Sequence, residues 1–252
     1  MTASAKFADF ASLHVPGDPV ILFNVWDAGS ARAVAEAGAK ALATGSASVA
    51  GAHGYADAES LPLELALANA ARVVQAVERP VTIDFEGAYA VEPEAVAANI
   101  GRLAETGAVG CNFEDQLAGA EGLLPFPLQA ERLRAARAAV GPDFYINART
   151  DIFLKAPRDA HDGAMVEAAL ERARAYADAG ASGLFVPGLI DLGLFERLCS
   201  ASPLPVNFMA YPGAPAPAEI AAAGAARISH GPFPWKLAMK ALREAAEAAL
   251  RR

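Results

Sequence analysis

Short apolar segments alternate with longer amphipathic segments along the chain. Four times an amphipathic segment ends at a glycine in an Ala-Gly-Ala or similar context, and a short apolar run follows; these segments begin at Glu36, Glu105, Asp178 and Ala222. Glycine adopts the left-handed conformation that ends a helix, and a short apolar run suits a strand buried on both faces. The pattern predicts helices that lead directly into buried parallel strands.

The rest of the chain continues this alternation and gives eight units. The predicted strands cover residues 20–24, 41–44, 81–86, 109–114, 144–149, 183–186, 206–209 and 227–229. Helical spacing of apolar positions is clearest over residues 63–77, 93–106, 128–140, 165–179 and 236–252. Eight alternating strands and helices predict a single-domain α/β fold, a (β/α)8 TIM barrel over residues 1–252.

A doubly wound open sheet is the alternative that this alternation leaves open. Such a fold commonly opens its first helix with Gly-x-Gly-x-x-Gly, whereas residues 24–30 here read Asn-Val-Trp-Asp-Ala-Gly-Ser. No Gly/Ser-rich or single-sign charged stretch divides the sequence, so we place no domain boundary. By its periodicity the last helix packs on its own sheet as the eighth helix of the barrel.

Composition excludes several classes of protein. Of 252 residues 54% are hydrophobic, which excludes a disordered chain, and the net charge of −8 argues against a broad nucleic-acid surface. Cys111 and Cys199 are the only cysteines, fit a reducing compartment and are interpreted as buried apolar residues. The first residues lack the features of a signal peptide, and five prolines interrupt the longest uncharged stretch, 198–218. We expect a soluble cytoplasmic protein without a membrane or nucleic-acid partner.

The predicted strands end in polar residues, where a barrel carries its chemistry. Asp84 and Glu86 end the third strand, and their spacing of two predicts that both carboxylates point to the same side. Glu114 ends the fourth strand and Arg149 the fifth. Converging acids repel one another unless a cation lies among them, so the sequence predicts Mg²⁺ or Mn²⁺, with Arg149 holding a substrate carboxylate. Single acids after strands are also typical helix N-caps, as we expect for Asp27 and Asp191.

The second strand leads into a turn of small residues and then a long connection. Backbone N–H groups in the turn at Ser46, Ala47 and Ser48 are suited to cradle a carboxylate or phosphate. The connection that follows ends at Asp57 and is long enough to bring this acid into the site from above. Elsewhere, His53, His161 and His230 have no metal-ligand spacing and are interpreted as surface or packing residues.

Seven motifs together carry a resemblance to a known family. They read NVWDAGSA, TGSASVAGAHGYAD, TIDFEGAY, GCNFEDQ, INARTD, VNFM and ARISHGPFPW, and they extend from residue 24 to about residue 239. In this combination the chain resembles the isocitrate lyase and phosphoenolpyruvate mutase superfamily. The branch concerned includes 2-methylisocitrate lyases, phosphonopyruvate hydrolases and oxaloacetate decarboxylases.

The resemblance implies roles for residues that match the family's motifs. It implies that Asp84, Glu86 and Glu114 bind Mg²⁺ largely through water, with Glu86 replacing the commoner Asp. It also implies that Ser46, Ala47 and Ser48 bind the 2-oxo acid, that Asp57 lies near the metal, that Arg149 contacts the substrate and that Asn207 is a polar residue at the end of the seventh strand. A C-terminal helix exchanged between subunits, in a homodimer or homotetramer, is implied as well.

Two departures from the family narrow the expected reaction. The lyases carry a Lys-x-Cys-Gly-His loop after the fourth strand, whereas residues 116–125 here contain neither Lys nor Cys, nor the Lys and Asn of the mutase loop. The lyases' Glu after the sixth strand aligns with Gly188. These departures argue against isocitrate or methylisocitrate lyase activity and more strongly against phosphonate mutase activity. We expect a Mg²⁺-dependent lyase or decarboxylase of a small 2-oxo (di)carboxylic acid; the alternatives are a P–C bond enzyme of the phosphonopyruvate type and a non-catalytic 2-oxo acid binder.

Overall fold

Eight parallel strands form one barrel in the computed structural model, which describes residues 3–117 and 122–251. The strands are β1 (Val20–Leu22), β2 (Leu42–Ala43), β3 (Val81–Asp84), β4 (Gly110–Glu114), β5 (Tyr145–Arg149), β6 (Gly183–Phe185), β7 (Val206–Met209) and β8 (Arg227–Ser229). Each strand from β2 to β8 pairs with its neighbour in sequence, and β8 pairs with β1. A bridge between Val25 and Thr44 joins the remaining two edges, with Val25 N donating to Ala43 O at 2.9 Å. The (β/α)8 prediction is therefore confirmed.

Helices surround this barrel in chain order. They are α1 (Ala3–Ser12), α2 (Ala28–Glu36), α3 (Ser46–Ala52), α4 (Leu63–Gln75), α5 (Pro93–Glu105), α6 (Phe126–Val140), α7 (Gly163–Asp178), α8 (Leu192–Ala201), α9 (Pro217–Ala222) and α10 (Phe233–Leu250), with a 3₁₀ turn at Arg158–Ala160. No helix within the described ranges is both long enough and apolar enough to cross a membrane.

The local signals in the sequence act as predicted. Gly38, Gly107, Gly180 and Gly224 each follow a helix with φ between 88° and 99°, the left-handed conformation that ends it. Asp27 caps α2, because its side chain accepts from Ser30 N at 2.7 Å. Asp191 caps α8 in the same way, through Leu194 N at 2.9 Å.

Helix α1 covers the N-terminal end of the barrel and was not predicted. Phe10 is fully buried there with Val20, Leu22 and Tyr145, and its ring lies 5.3 Å from that of Tyr145. His14, just beyond the helix, stacks on Tyr145 with ring centroids 4.2 Å apart. The side chains of this segment therefore form the floor of the barrel.

Two predictions about element boundaries were wrong. Strand β3 ends at Asp84, and Glu86 has a left-handed φ of 51°, so strand alternation does not set the direction of its side chain. The predicted small-residue turn after β2 is instead the first turn of α3, where Ser48 N donates to Gly45 O at 3.0 Å. Both boundaries lie beside the candidate site.

Helix α10 packs on its own barrel only through its first turn, contrary to the periodicity-based expectation. Pro234 is buried, and the ring of Trp235 lies against Gly51 of α3 so closely that a Cβ there would be 2.9 Å from it. Residues 241–250 are all exposed. The second half of this helix therefore leaves its apolar side chains in solvent.

Candidate active site

A cavity of about 200 Å³ opens at the carboxyl ends of the strands. Its lining residues come from nearly every strand end or following loop: Asn24, Gly45, Ser46, Ala47, Asp57, Asp84, Asn112, Arg149, Leu154, Phe185, Pro187, Met209, Ser229, Gly231 and Pro232. Acids and amides thus face a group of apolar side chains across a small space. This is the position where a TIM barrel places its active site.

Asp84 is the acid most firmly held in this cavity. Its Oδ2 accepts from Ser46 N at 2.9 Å, and its Oδ1 accepts from Asn112 Nδ2 at 3.1 Å. Its own N–H donates to Thr44 Oγ1 at 2.9 Å. The first N–H of α3 therefore binds a carboxylate of the protein itself.

The helical conformation of residues 46–48 limits which of their N–H groups can reach a ligand. Ser46 and Ala47 line the cavity, but the Ser46 N–H is taken by Asp84. Ser48 is buried behind them, and its N–H closes the first turn of α3. The segment is helical because Gly45 is extended and acts as the N-cap residue. The N–H groups of Ser46 and Ser48 are therefore engaged within the protein, and binding of a substrate by residues 46–48 stays a prediction.

Asp57 lies where the sequence predicted, at the cavity wall. Burial, followed by the charge of Asp84, raises the pKa of Asp57, while the backbone of Ala58 and the side chain of Ser46 lower it. The other two acids, Glu86 and Glu114, lie deeper in the protein. Burial and the charges of Asp57 and Asp84 raise the pKa of Glu86 to about 8. Burial also raises the pKa of Glu114 well above its usual range, although Arg149 lowers it. Neither Glu86 nor Glu114 is among the residues that line the cavity.

Glu86 is fixed by an unusual pair of backbone segments. Its Oε2 accepts from Glu59 N at 2.8 Å, while Glu59 Oε1 accepts from Tyr89 N at 2.7 Å. Ala58, Glu59, Glu86 and Tyr89 all have φ between 51° and 65°. Left-handed backbone is costly for residues with a side chain, so these reciprocal bonds hold the segment that carries Asp57 against the end of β3.

Arg149 faces the cavity between two carboxylates. Its Nε and Nη2 donate to both oxygens of Asp151, at 2.6 and 2.8 Å, and its Nη1 lies 2.8 Å from Glu114 Oε2. The guanidinium carbon is 5.7 Å from the centre of the Phe185 ring. The side chain is thus fixed in direction and remains at the cavity surface.

A second buried network positions Asp151, and sequence reasoning did not find it. Asp115 accepts from Arg172 Nη1 at 2.9 Å, from Tyr176 Oη at 2.8 Å and from Asp151 N at 3.2 Å. Arg172 and Tyr176 lie four residues apart on α7. Their i, i+4 spacing places both side chains on one face of the helix, so that both can reach the same acid. This spacing is the signal in the sequence that could have indicated the network.

Asn207 lies below the cavity and not at its surface. It is the second residue of β7, its Nδ2 donates to Phe208 O at 2.7 Å and Ser229 Oγ at 3.1 Å, and its Oδ1 accepts from Asn147 Nδ2 at 3.3 Å. Met209, at the true end of β7, lines the cavity in its place. Alternation along the strand puts both side chains inside the barrel, but at different depths.

The histidines and cysteines lie outside the cavity lining; Cys111 is buried as the sequence predicted, whereas Cys199 is only half-buried. His53 Nδ1 is 2.9 Å from Val49 O, His161 Nε2 is 2.8 Å from Phe153 O, and His230 Nδ1 is 3.1 Å from Leu22 O. Burial raises the pKa of both Cys111 and Cys199 to about 12. None of these side chains is placed to act as an acid or base in the cavity.

The acids fit a hydrated hard cation better than a directly coordinated one. Within residues 3–117 and 122–251, no three Asp, Glu, His or Cys side chains lie close enough to bind one metal ion together. Asp57, Glu86 and Glu114 nevertheless all have raised pKa values, for which the charge of Asp84 is one cause. Oxygen donors and uncompensated negative charge suit Mg²⁺, which keeps several of its waters.

The sequence departs from the family's lyases in two segments, the loop after β4 and position 188. Residues 118–121 of the loop after β4 lie outside the described residues, while Leu124 N donates to Asp115 O at 2.8 Å beside them. Gly188 has φ of 92°, and a Cβ there would lie 3.0 Å from Leu154 N and from Phe153 C. The loop after β5 therefore occupies the space into which a side chain at position 188 would extend.

Comparisons with known proteins agree with this fold. The family model described as phosphoenolpyruvate phosphomutase matches residues 10–250. A 2-methylisocitrate lyase of Salmonella typhimurium is 30% identical over 215 residues, which cover 77% of this chain and 70% of that protein. An uncharacterized protein of Mycobacterium tuberculosis is 33% identical over 242 residues, 95% of this chain and 88% of its own.

A solved structure gives a closer match. A protein of Burkholderia cenocepacia J2315, provisionally described as a phosphonomutase, is 49% identical, covers 98% of this chain and 100% of its own, and has a TM-score of 0.96. Fold and site together define a TIM-barrel protein with an acidic cavity and one arginine. The chain belongs to the phosphoenolpyruvate phosphomutase family, in a superfamily of enzymes that includes lyases and mutases.

Proposed function

We propose that this protein is a Mg²⁺-dependent lyase or decarboxylase of a small 2-oxo (di)carboxylic acid. The observation that carries the proposal is that Arg149, Asp57 and Asp84 line the same cavity of about 200 Å³. Among the described lining residues Arg149 is the single cation. A small anionic substrate is thereby directed to one end of the cavity.

Arg149 has donors left for a substrate carboxylate. A guanidinium carries five N–H donors; Asp151 accepts hydrogen bonds from two of them, while Glu114 Oε2 lies 2.8 Å from Nη1 without forming a hydrogen bond. The remaining donors suit a carboxylate or the oxygen of a 2-oxo group. Since Asp151 fixes the plane of the guanidinium, the direction of these donors is set before substrate binds.

Asp84 would hold the metal, with Glu86 and Glu114 acting through water. When bound, Mg²⁺ supplies Lewis-acid polarisation of a 2-oxo group and stabilises an enolate. A phosphonopyruvate hydrolase with the same fold, 20% identical, has been crystallised with oxalate and Mg²⁺, which guides the choice of metal for testing. Asp57 has a raised pKa and is placed at the cavity wall to accept or return a proton.

Decarboxylation fits these residues better than aldol-type cleavage does. Losing CO₂ needs an electron sink and an oriented carboxylate, and the enolate that forms then takes up one proton at carbon. Aldol-type cleavage needs in addition a base that removes the hydroxyl proton of the substrate, besides the acid that protonates the leaving carbanion. Cys111 is fully buried with a pKa of about 12, so it does not supply a thiol acid. Asp57 and bound water remain as the proton carriers.

A P–C bond enzyme of the phosphonopyruvate type is the second candidate. The 49% identity to the Burkholderia cenocepacia protein favours it. A phosphonate brings more negative charge than a carboxylate into a cavity that has one arginine among its described lining residues, so we place this reaction second. A non-catalytic 2-oxo acid binder is the third outcome.

Proton and phosphorus NMR of the purified protein with Mg²⁺ tests all three. Oxaloacetate, phosphonopyruvate, 2-methylisocitrate and isocitrate are supplied separately, each with an EDTA control. We expect pyruvate from oxaloacetate above the spontaneous rate, abolished by EDTA. Inorganic phosphate from phosphonopyruvate selects the second candidate. Binding of the acids without any turnover selects the third and overturns the proposal.

Variants connect this activity to the site. We expect D84N to lower the Mg²⁺-dependent rate by about 10²-fold or more, because it removes a charged oxygen ligand.

R149K keeps the positive charge but loses the two parallel N–H donors of the guanidinium, and we expect it to lower the rate by about 10²-fold. D9N and R197K are controls at exposed positions of α1 and α8. Unchanged turnover in D84N with an intact fold by circular dichroism contradicts the metal assignment.

We also propose that the protein assembles as a homodimer or homotetramer through α10. Leu237, Leu242 and Leu250 of this helix are 63%, 63% and 80% exposed. Exposed apolar side chains that their own barrel does not cover suit burial against a second copy of the chain. The cytoplasmic location stays a prediction.

A further inference from the structure

We propose that a second cavity beside the active site binds an apolar substituent of the substrate, so that the preferred 2-oxo acid carries a branched alkyl or aryl group. This side cavity, of about 270 Å³, is lined chiefly by Phe153, Leu154, Ile190, Met209, Tyr211 and Phe233. The inference rests on the proposed function, because it deepens the description of the same substrate.

The side cavity lies on the catalytic face of the barrel. Its residues come from the loops after β5, β6 and β7 and from the first turn of α10. Loops at this end determine specificity in TIM barrels, whatever chemistry the strand ends perform. A group that extends from the reaction cavity toward these loops remains within the protein.

Two side chains belong to both cavities. Leu154 and Met209 line the reaction cavity and the side cavity alike. Leu154 is 46% exposed, and Met209 has an unbranched, adaptable side chain. These residues form an apolar partition that a ligand can displace at low cost, which makes the two spaces continuous for a substituted substrate.

The chemistry of the two linings differs as a substituted 2-oxo acid requires. Asp57, Asp84 and Arg149 provide polar groups in the reaction cavity, whereas the described lining of the side cavity contains no acid. Its one cation, Arg158, lies over the Tyr211 ring at 5.4 Å. The 2-oxo acid end therefore belongs in the first cavity and an apolar end in the second.

Gly188 preserves the arrangement. A Cβ at this position would be 3.2 Å from Leu154 Cδ2 and 3.0 Å from Leu154 N. Any side chain at position 188 would therefore push the partition, and φ of 92° adds strain for residues other than glycine. The glycine keeps both the loop after β5 and the space beside it in place.

Calorimetric titration tests the proposal without requiring turnover. Pyruvate, 4-methyl-2-oxopentanoate and phenylpyruvate are titrated into the whole protein with Mg²⁺. Burying a leucine-sized or aromatic group predicts affinity at least about tenfold higher for the two substituted acids than for pyruvate. We expect I190W, which fills the side cavity, to remove this gain while the affinity for pyruvate stays within about twofold. I190D, at the same half-buried position, is the second variant, and L65W on α4 is the control.

The outcomes separate this inference from the proposed function. Equal affinities for the three acids in the wild-type protein overturn the side-cavity proposal, and so does a gain that survives both I190W and I190D. If R149K lowers the affinity for pyruvate and for phenylpyruvate to the same extent, the assignment of Arg149 to the 2-oxo acid end stands independently of the side cavity. Phenylpyruvate binding that depends on Ile190 but not on Arg149 overturns the shared-substrate inference. A changed molecular mass of I190D in light scattering, with unchanged ligand affinities, assigns the cavity to a contact between copies and overturns the proposal too.

Discussion

Arg149 keeps its charge in a largely buried place because two carboxylates face it. Burial alone would lower the pKa of Arg149, but the charges of Glu114 and Asp151 raise it above its ordinary value. Burial lowers the pKa of Arg227 to about 10, although the charges of Tyr145 and Asp84 raise it, and its Nη2 donates to the amide oxygen of Asn112 at 3.1 Å. Both arginines lie inside the same barrel, and the charged groups around each one determine whether the pKa of its guanidinium rises or falls.

His14 gives a prediction about stability and pH. Burial and, to a lesser degree, the charge of Arg227 lower the pKa of His14 from 6.5 to about 3, although its bond to Phe10 O raises it. Between these values the unfolded chain binds a proton that the folded protein does not, so stability falls as pH decreases from 6.5 toward 3. We expect H14F to lose part of this dependence, about 1.4 kcal/mol for each pH unit.

Urea unfolding of wild type and H14F at several pH values between about 4 and 7 measures the difference in slope. H14F also loses the bond to Phe10 O, so the slope and not the absolute stability is compared. H53F is the control, since His53 is half-buried and bonded to Val49 O in the same way. Parallel pH profiles for wild type and H14F contradict the prediction.

Among the elements, α1 contributes stability out of proportion to its length. Phe10 is fully buried, with its ring 4.7 Å from that of His14 and 5.3 Å from that of Tyr145. Truncating such a side chain removes its burial and leaves a void at the floor of the barrel. We expect F10A to lower the free energy of unfolding by about 3–5 kcal/mol, measured by urea titration.

F23A is the matched control for F10A, because Phe23 is 40% exposed and lies 5.0 Å from the His230 ring. We expect it to cost well under half as much. If both variants lose the same stability, α1 does not close the barrel as described.

The sequence predicts those elements that local chemistry determines. The four helix-ending glycines and the Asp27 and Asp191 caps are properties of a few adjacent residues, and the structure confirms them. Glu86 is different: its left-handed backbone depends on Glu59, 27 residues away in the chain, which donates its N–H to the carboxylate. Contacts between distant loops therefore decide where β3 stops.

The residues of the candidate site divide in the same way, into those placed by a local pattern in the sequence and those placed by contacts between distant parts of the chain. Strand-end polarity correctly brings Asp84 and Arg149 to one cavity, and the long connection after β2 brings Asp57 there as predicted. The depth of a side chain along a strand is harder to infer, and Asn207 lies one level below its predicted place. The apolar half of the cavity, such as Phe185 and Met209, has no local signal because apolar residues at strand ends resemble core residues.

At the scale of the whole molecule, α10 is the element whose second half has no packing partners within the described part of a single chain. Residues 241–250 are all exposed, and an isolated helical segment of that length is marginal in water. A second copy that covers Leu237 and Leu242 would supply the missing packing. We expect the wild-type protein to have the mass of a dimer or tetramer in size-exclusion chromatography with light scattering.

The double variant L237E/L242E tests this expectation, because a charge at each of these exposed apolar positions opposes its burial against another chain. We expect a lower mass together with less helix by circular dichroism, since the released end of α10 loses its support. L65E, with Leu65 39% exposed on α4, introduces the same charge elsewhere and should keep the wild-type mass. A monomeric wild-type protein, or a double variant that keeps its full mass, would show that α10 does not join the subunits.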